Sequence, residues 1–454
     1  MKILIKNKAK GERMGINASK YIPVLFLAPW LITACDNKSE NSPAAVQPPN
    51  TVTFCVDNIP TGTTEGENIY LAGTMNGWNG GNDLSDLEKK PPLPLQPGGE
   101  QCHYKIDVPF NKIGDVHQFK FTRGSWDSEE LDENGYAIHN RRIIFDGKNN
   151  TQHFSIKKWK DLEGGVKEKP STLVGKVETQ VFSTPQLTTA QRTVRIYLPA
   201  GYDQNNESYP VLYMFDGQNL FDEITAGYGM EWQIDETLER LVSEGKTKGA
   251  IVVGIDSPNE NDDTALNPEV NGEYKKARYR EYTAWEWDLA GTGHIVPLGE
   301  ETSDFIAEVV MPYIENNYRV NISRETTALA GSSMGGYMTL YVGTRLKERF
   351  SKLMAFSVVA QDDPMHGYEL RNYIEQNSDP INYPTRIYMD MGTQERLAYA
   401  PEPEMLIEGM QAMCSSVKKV GHSDVSCPLI SGGLHDELSW SERFADVYMA
   451  TMER

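Results

Sequence analysis

The chain has 454 residues, 44 Lys and Arg against 64 Asp and Glu, and a formal net charge of −20. That length allows two or three domains with a sizeable core. The 39 % hydrophobic and 24 % charged residues exclude both a disordered chain and a multi-spanning membrane protein, and the acidity excludes a nucleic-acid partner.

Residues 1–20 carry Lys2, Lys6, Lys8, Lys10, Arg13 and Lys20, and an apolar run, YIPVLFLAPWLIT, follows from Tyr21 to Thr33. The run is too short to span a bilayer and contains Pro23 and Pro29, so residues 1–34 read as a secretory signal. Its end, Leu31-Ile32-Thr33-Ala34-Cys35, resembles the bacterial lipobox, which implies that Cys35 is lipidated and becomes the mature N-terminus. Cleavage there removes six basic residues and one acid, and takes the charge to −25. The expected location is the bacterial cell envelope, lipid-anchored and facing the periplasm. Asp36 resembles an inner-membrane retention signal whose meaning varies among bacteria, so the choice of membrane stays open. Residues 35–50 lack hydrophobic periodicity and read as a flexible tether.

Five cysteines leave one over after pairing, and Cys35 accounts for it. In an oxidising compartment the other four are expected to pair locally, as Cys55–Cys102 and Cys414–Cys427. No CxxC or HExxH spacing points to a metal site.

From 51 to 160, short strand-like runs (TVTFCV, ENIYLAG, CHYKIDVPF, HQFKFTRG, RRIIFDG, QHFSIKK) alternate with turn clusters such as GWNGGND and LQPGGE. This spacing predicts a small antiparallel, immunoglobulin-like all-β sandwich. The stretch IYLAGTMNGWN (69–79), with FKFTRGSWDSEE (119–130) and His139-Asn140-Arg141, resembles starch- and glycogen-binding modules. The resemblance implies that Trp78 and Trp126 are sugar platforms and that Asn140 bonds sugar hydroxyls, with an α-glucan or another polysaccharide as the partner.

From 172 to 454 the pattern becomes alternating strands and helices, which predicts an α/β domain with a mostly parallel sheet covered by helices. Strands are expected at 192–199, 209–217, 249–256, 326–332, 351–359 and 385–392. Amphipathic helices are expected at 303–318 and 403–419.

Gly331-Ser332-Ser333-Met334-Gly335 sits between an apolar strand and a helical stretch, the setting of a strained turn that projects a serine hydroxyl. A serine hydroxyl needs a histidine base and a carboxylate that orients it. In α/β-hydrolases the order along the chain is Ser, acid, His, and His366, His422 and His435 follow Ser333. His366 comes too early and His422 lies in a polar turn, which leaves His435 in GGLHDELSW. The acid belongs after the strand TRIYMDMG, where Glu395 is the first choice and Asp390 the second.

GSSMGG, YPVLYMFDGQNLFD (209–222), Arg280-Glu281-Tyr282 and GGLHDELSW together resemble the esterase D, feruloyl esterase and enterochelin esterase group of α/β-hydrolases. The resemblance covers 175–454. It implies an oxyanion hole from the backbone N–H groups of Met334 and Gln218, and a substrate pocket lined by Arg280, Glu281, Tyr282 and Trp285. The expected function is a cofactor-free serine esterase acting on acylated saccharides. The alternatives are a siderophore esterase or acyltransferase, and a non-catalytic sugar-binding lipoprotein.

Overall fold

The computed structural model describes residues 50–64, 66–81, 90–99, 102–258, 274–289, 293–397, 400 and 402–453. The signal, Cys35 and all of the tether before Asn50 lie outside the described residues. Among the described residues no helix is long and apolar enough to cross a membrane.

The N-terminal strands form two four-stranded sheets. One orders Gln96–Gly99, Cys102–Pro109, Thr51–Asn58 and Thr151–Ser155; the other orders Leu93–Pro94, Tyr70–Gly73, Val116–Thr122 and Arg141–Ile144. Alternating side chains of Thr51–Asn58 (Val52, Phe54, Val56) meet Leu71, Phe119 and Phe121 of the opposite sheet in one buried cluster. The pairing is not wholly antiparallel, because Thr151–Ser155 runs parallel to Thr51–Asn58. The chain reaches that last strand after crossing from the other sheet, so no hairpin fixes its direction.

The C-terminal region is built on a mixed eight-stranded sheet: β1 (Lys176–Ser183), β2 (Gln191–Leu198), β3 (Val211–Phe215), β4 (Ile251–Ile255), β5 (Thr327–Ser332), β6 (Lys352–Phe356), β7 (Arg386–Met389) and β8 (Val425–Ser426). Their order is β1-β2-β4-β3-β5-β6-β7-β8. β2 is antiparallel to both β1 and β4, and every later pairing is parallel. Both faces are covered, which is why the central strands read as unbroken apolar runs. In β3, Val211, Tyr213 and Phe215 face one core while Leu212 and Met214 face the other. The first core takes helices α2 (Met334–Arg345) and α3 (Pro403–Lys419); the second takes α1 (Ile234–Ser243) and α4 (Glu437–Met452).

The edge strand β1 was not expected from the sequence. Its side chains are half-exposed or exposed along its whole length, so it lacks the apolar signal of the central strands. The disulfides Cys55–Cys102 and Cys414–Cys427 are both present. Residues Pro48–Arg454 form one compact unit. Gln118 of the N-terminal sheets donates to Asp436 (2.6 Å), and Arg142 pairs with Glu442 (3.1 Å).

Candidate active site

Four loops at the carboxyl ends of parallel strands build the site. After β5 the chain turns sharply at Ser333, whose φ of 57° and ψ of −122° are costly for a residue with a Cβ. Two glycines permit the turn. A Cβ on Gly331 would lie 2.7 Å from the backbone of Gly335, and one on Gly335 would lie 3.1 Å from Phe215. Ser333 is held by its N–H to the carbonyl of Phe356 (2.9 Å).

Beyond β7 and β8, the short segments Met391–Gly392 and Leu429–Ile430 pair in parallel and bring two loops together. Gln394 donates its N–H to the carbonyl of Gly433 (3.1 Å), and a Cβ on Gly392 would strike that same carbonyl at 2.4 Å. The result places His435 Nδ1 2.6 Å from Glu395 Oε2. Glu395 is fully buried. Its other oxygen accepts from the Ser357 hydroxyl and the Gly392 N–H, both at 2.6 Å. As a carboxylate Glu395 can only accept, so the Nδ1–H of His435 is the donor of that bond.

Ser357 is a residue the sequence reading missed. Its oxygen accepts from Trp440 Nε1 (2.7 Å) and Arg443 Nη2 (3.0 Å), which forces its hydrogen toward Glu395. Trp440 also sets its ring edge-on to His435, with centroids 5.3 Å apart. Asp390 lies beside this network but is bound by Arg443 (2.6 Å) and by the N–H of Ser357 (2.7 Å). It does not face His435.

Ser333 and His435 line a cavity of about 810 Å³. Gln218 lines it too, from the turn after β3, and Met334 begins α2, where helix geometry leaves the first N–H groups without an intrahelical acceptor. The N-terminal region adds Trp78, Trp126 and Asn140 from between its strands and Gln118 from a strand to the lining. The two indoles are half-buried and stand 6.2 Å apart, tilted by 39°. Asp216, Asp436 and Glu437 add carboxyl groups. Glu437 is pushed up to about 8 by burial and by the charges of Asp216 and Asp436.

The four pocket residues inferred from the segment after β4 do not line this cavity. Arg280 donates to the carbonyl of Val296 (3.0 Å), and Glu281 is buried against Arg192 (2.8 Å). Tyr282 is buried, its hydroxyl accepting the N–H of Asp216 (3.2 Å), and Trp285 packs on Tyr337, Tyr341 and Tyr373. The helix Tyr274–Glu281 instead turns Arg278 and Tyr279 toward the cavity. Arg278 clasps Asp216 through two bonds of 2.9 and 2.8 Å and lies over the Tyr282 ring. On a helix, a shift of two positions changes the face entirely.

A family model described as Esterase matches residues 186–450. The chain belongs to the Esterase family. As a member it is a carboxylic ester hydrolase, and its eight-stranded sheet is α/β-hydrolase-like. This esterase is 25 % identical over 175 residues to the endo-1,4-beta-xylanase/feruloyl esterase of Xylanibacter ruminicola, a match covering 38 % of this chain and 20 % of that one. It is 22 % identical over 263 residues to the protein YbbA of Bacillus subtilis, covering 56 % and 89 % of the two chains. Among solved structures, the enterobactin esterase FES of Shigella flexneri has a similar fold, with a TM-score of 0.52 at 13 % identity over 88 % of this chain and 93 % of that one.

Proposed function

We propose that this esterase cleaves acyl groups from saccharides by two-step acyl transfer through Ser333. His435 Nε2 takes the proton from the Ser333 hydroxyl as it attacks the ester carbonyl, and Glu395 holds the imidazole in the required tautomer. The N–H groups of Met334 and Gln218 receive the developing oxyanion, an arrangement whose individual donors commonly contribute about 3 kcal/mol of barrier reduction. The alcohol leaves with the proton from His435, and water attacks the acyl-enzyme by the same route in reverse. No organic cofactor enters these steps.

The observation that carries the saccharide reading is the shared cavity. Trp78 and Trp126 stand on the same 810 Å³ space as Ser333 and His435. Indole faces suit the apolar faces of pyranose rings, while Asn140, Gln118 and the raised-pKa carboxyl of Glu437 suit neutral hydroxyls. A ferric catecholate siderophore is a polyanion and calls for several cations. Among the described residues lining the cavity, Arg278 is the one guanidinium, and Asp216 already holds it.

Ester hydrolysis by the wild type and by Ser333→Ala tests the assignment. On p-nitrophenyl acetate the variant is expected to lose at least about 1,000-fold in kcat; equal rates would remove Ser333 from the chemistry. Feruloylated arabinoxylan and acetylated xylan are expected to outcompete ferric enterobactin. Faster turnover of the siderophore would overturn the saccharide reading. We further propose that the protein is held in the envelope by lipid on Cys35, so Cys35→Ser is expected to shift it from the membrane to the soluble fraction.

A further inference from the structure

Behind the cavity, at the start of α1, lie three carboxyl groups that the esterase chemistry does not use: Glu231, Asp235 and Glu236. One oxygen from each lies within 4.8 Å of the others. Glu231 and Asp235 are buried, at 1 % and 0 % exposure. Glu231 Oε2, Asp235 Oδ1 and Glu236 Oε2 are each buried without a hydrogen-bond partner. Unpartnered buried carboxylate oxygens are costly, and three carboxyl groups clustered together are more so.

The neighbouring acids show what is missing. Glu223 pairs with Lys169 and His139, and Asp222 accepts from Ser171 and Thr172. Among the described residues no Lys, Arg or His forms an ion pair with Glu231, Asp235 or Glu236. Asp235 has the N–H of Val174 on its second oxygen (2.7 Å), and the first turn of α1 offers its dipole to Asp235 and Glu236. The Thr172 hydroxyl also reaches Glu231, and Asp235 and Glu236 stand close enough to share a proton. Protonation is one relief: burial and mutual repulsion push Glu231 up to about 7 and Asp235 to about 9.

We propose that Glu231, Asp235 and Glu236 together bind a calcium ion. Oxygens bound to Ca²⁺ at roughly 2.4 Å lie at most about 4.8 Å apart, so the observed spread suits one ion among them. An all-carboxylate set favours a hard cation, and with no His or Cys it disfavours zinc. The ion would fix the segment between the cavity and α1. Met230 lines the cavity, and Trp232 packs on Trp440 (5.4 Å between centroids), the donor to Ser357 behind Glu395.

The test uses the purified full chain stripped with EDTA and dialysed. Terbium added under tryptophan excitation is expected to give saturable luminescence at one equivalent, since Trp232 adjoins Glu231, and calcium is expected to displace it. Millimolar calcium is expected to raise the melting temperature by several degrees over EDTA. The variant Glu231→Gln/Asp235→Asn is expected to lose both responses, yet to melt in EDTA at or above the wild type, because neutral amides replace crowded buried carboxyl groups. A wild type with neither saturable luminescence nor a calcium-dependent shift would overturn the site, as would a folded double variant that keeps both. Neither readout depends on ester hydrolysis, so the result stands apart from the substrate assignment.

Discussion

Residues in and behind the cavity divide between those fixed in place and those that answer to solution conditions. Glu395 is fixed by three partners, and Glu395→Gln keeps its shape while setting an amide donor against His435 Nδ1. The expected consequence is a loss of about 10²–10⁴ in kcat with the melting temperature little changed, because the imidazole is driven into the wrong tautomer. Glu437 answers to pH. Its folded pKa of about 8 lies above the ordinary carboxyl value of 4.5, so its contribution is fully present below about pH 4.5 and is lost as pH rises through 8. Glu437→Gln is therefore expected to recover roughly 1–2 kcal/mol relative to wild type between pH 5 and pH 9, water in the cavity screening the rest. Urea unfolding at the two pH values checks it; parallel pH profiles for both proteins would show that Glu437 titrates normally.

Elements that hold these residues were unevenly legible. The apolar runs of β2 to β7 and the helix Pro403–Lys419 follow directly from periodicity, whereas β1 does not, since an edge strand hides no face. Met391–Gly392 was read as the end of the strand 385–392; what was not legible is that it breaks away from β7 and pairs with Leu429–Ile430, the contact that brings Glu395 to His435. The Cys414–Cys427 bridge ties α3 to the chain just before Leu429–Ile430 and closes a separation of 13 residues. Replacing both cysteines by serine is expected to cost about 3 kcal/mol in chemical denaturation. Esterase activity under native conditions should persist, because neither cysteine lines the cavity.

At the scale of the whole molecule, residues of the N-terminal region line the same cavity as Ser333 and His435. Trp78 and Trp126 were expected as a sugar platform, and both line the cavity that Ser333 and His435 line. Trp78→Ala/Trp126→Ala is expected to raise KM for feruloylated oligosaccharides about tenfold or more, as loss of two stacking faces implies, while p-nitrophenyl acetate turnover stays within about twofold. Equal effects on both substrates would place the indoles outside sugar recognition.

The chain by itself determined the serine turn, the histidine after the last strand and the two layers of apolar alternation. Each is written in local order: glycines where a Cβ would clash, and unbroken apolar runs where a sheet is buried on both faces. The tertiary structure alone decided that Arg278 and Tyr279, and not Arg280 and Tyr282, line the cavity of Ser333 and His435. It also decided that Asp390 serves Arg443, and that Ser357 and Trp440 stand behind Glu395. Those choices depend on which face of a helix meets a cavity and which distant donor reaches a carboxylate first. Both are set by packing across the sheet, a distance that sequence spacing does not measure.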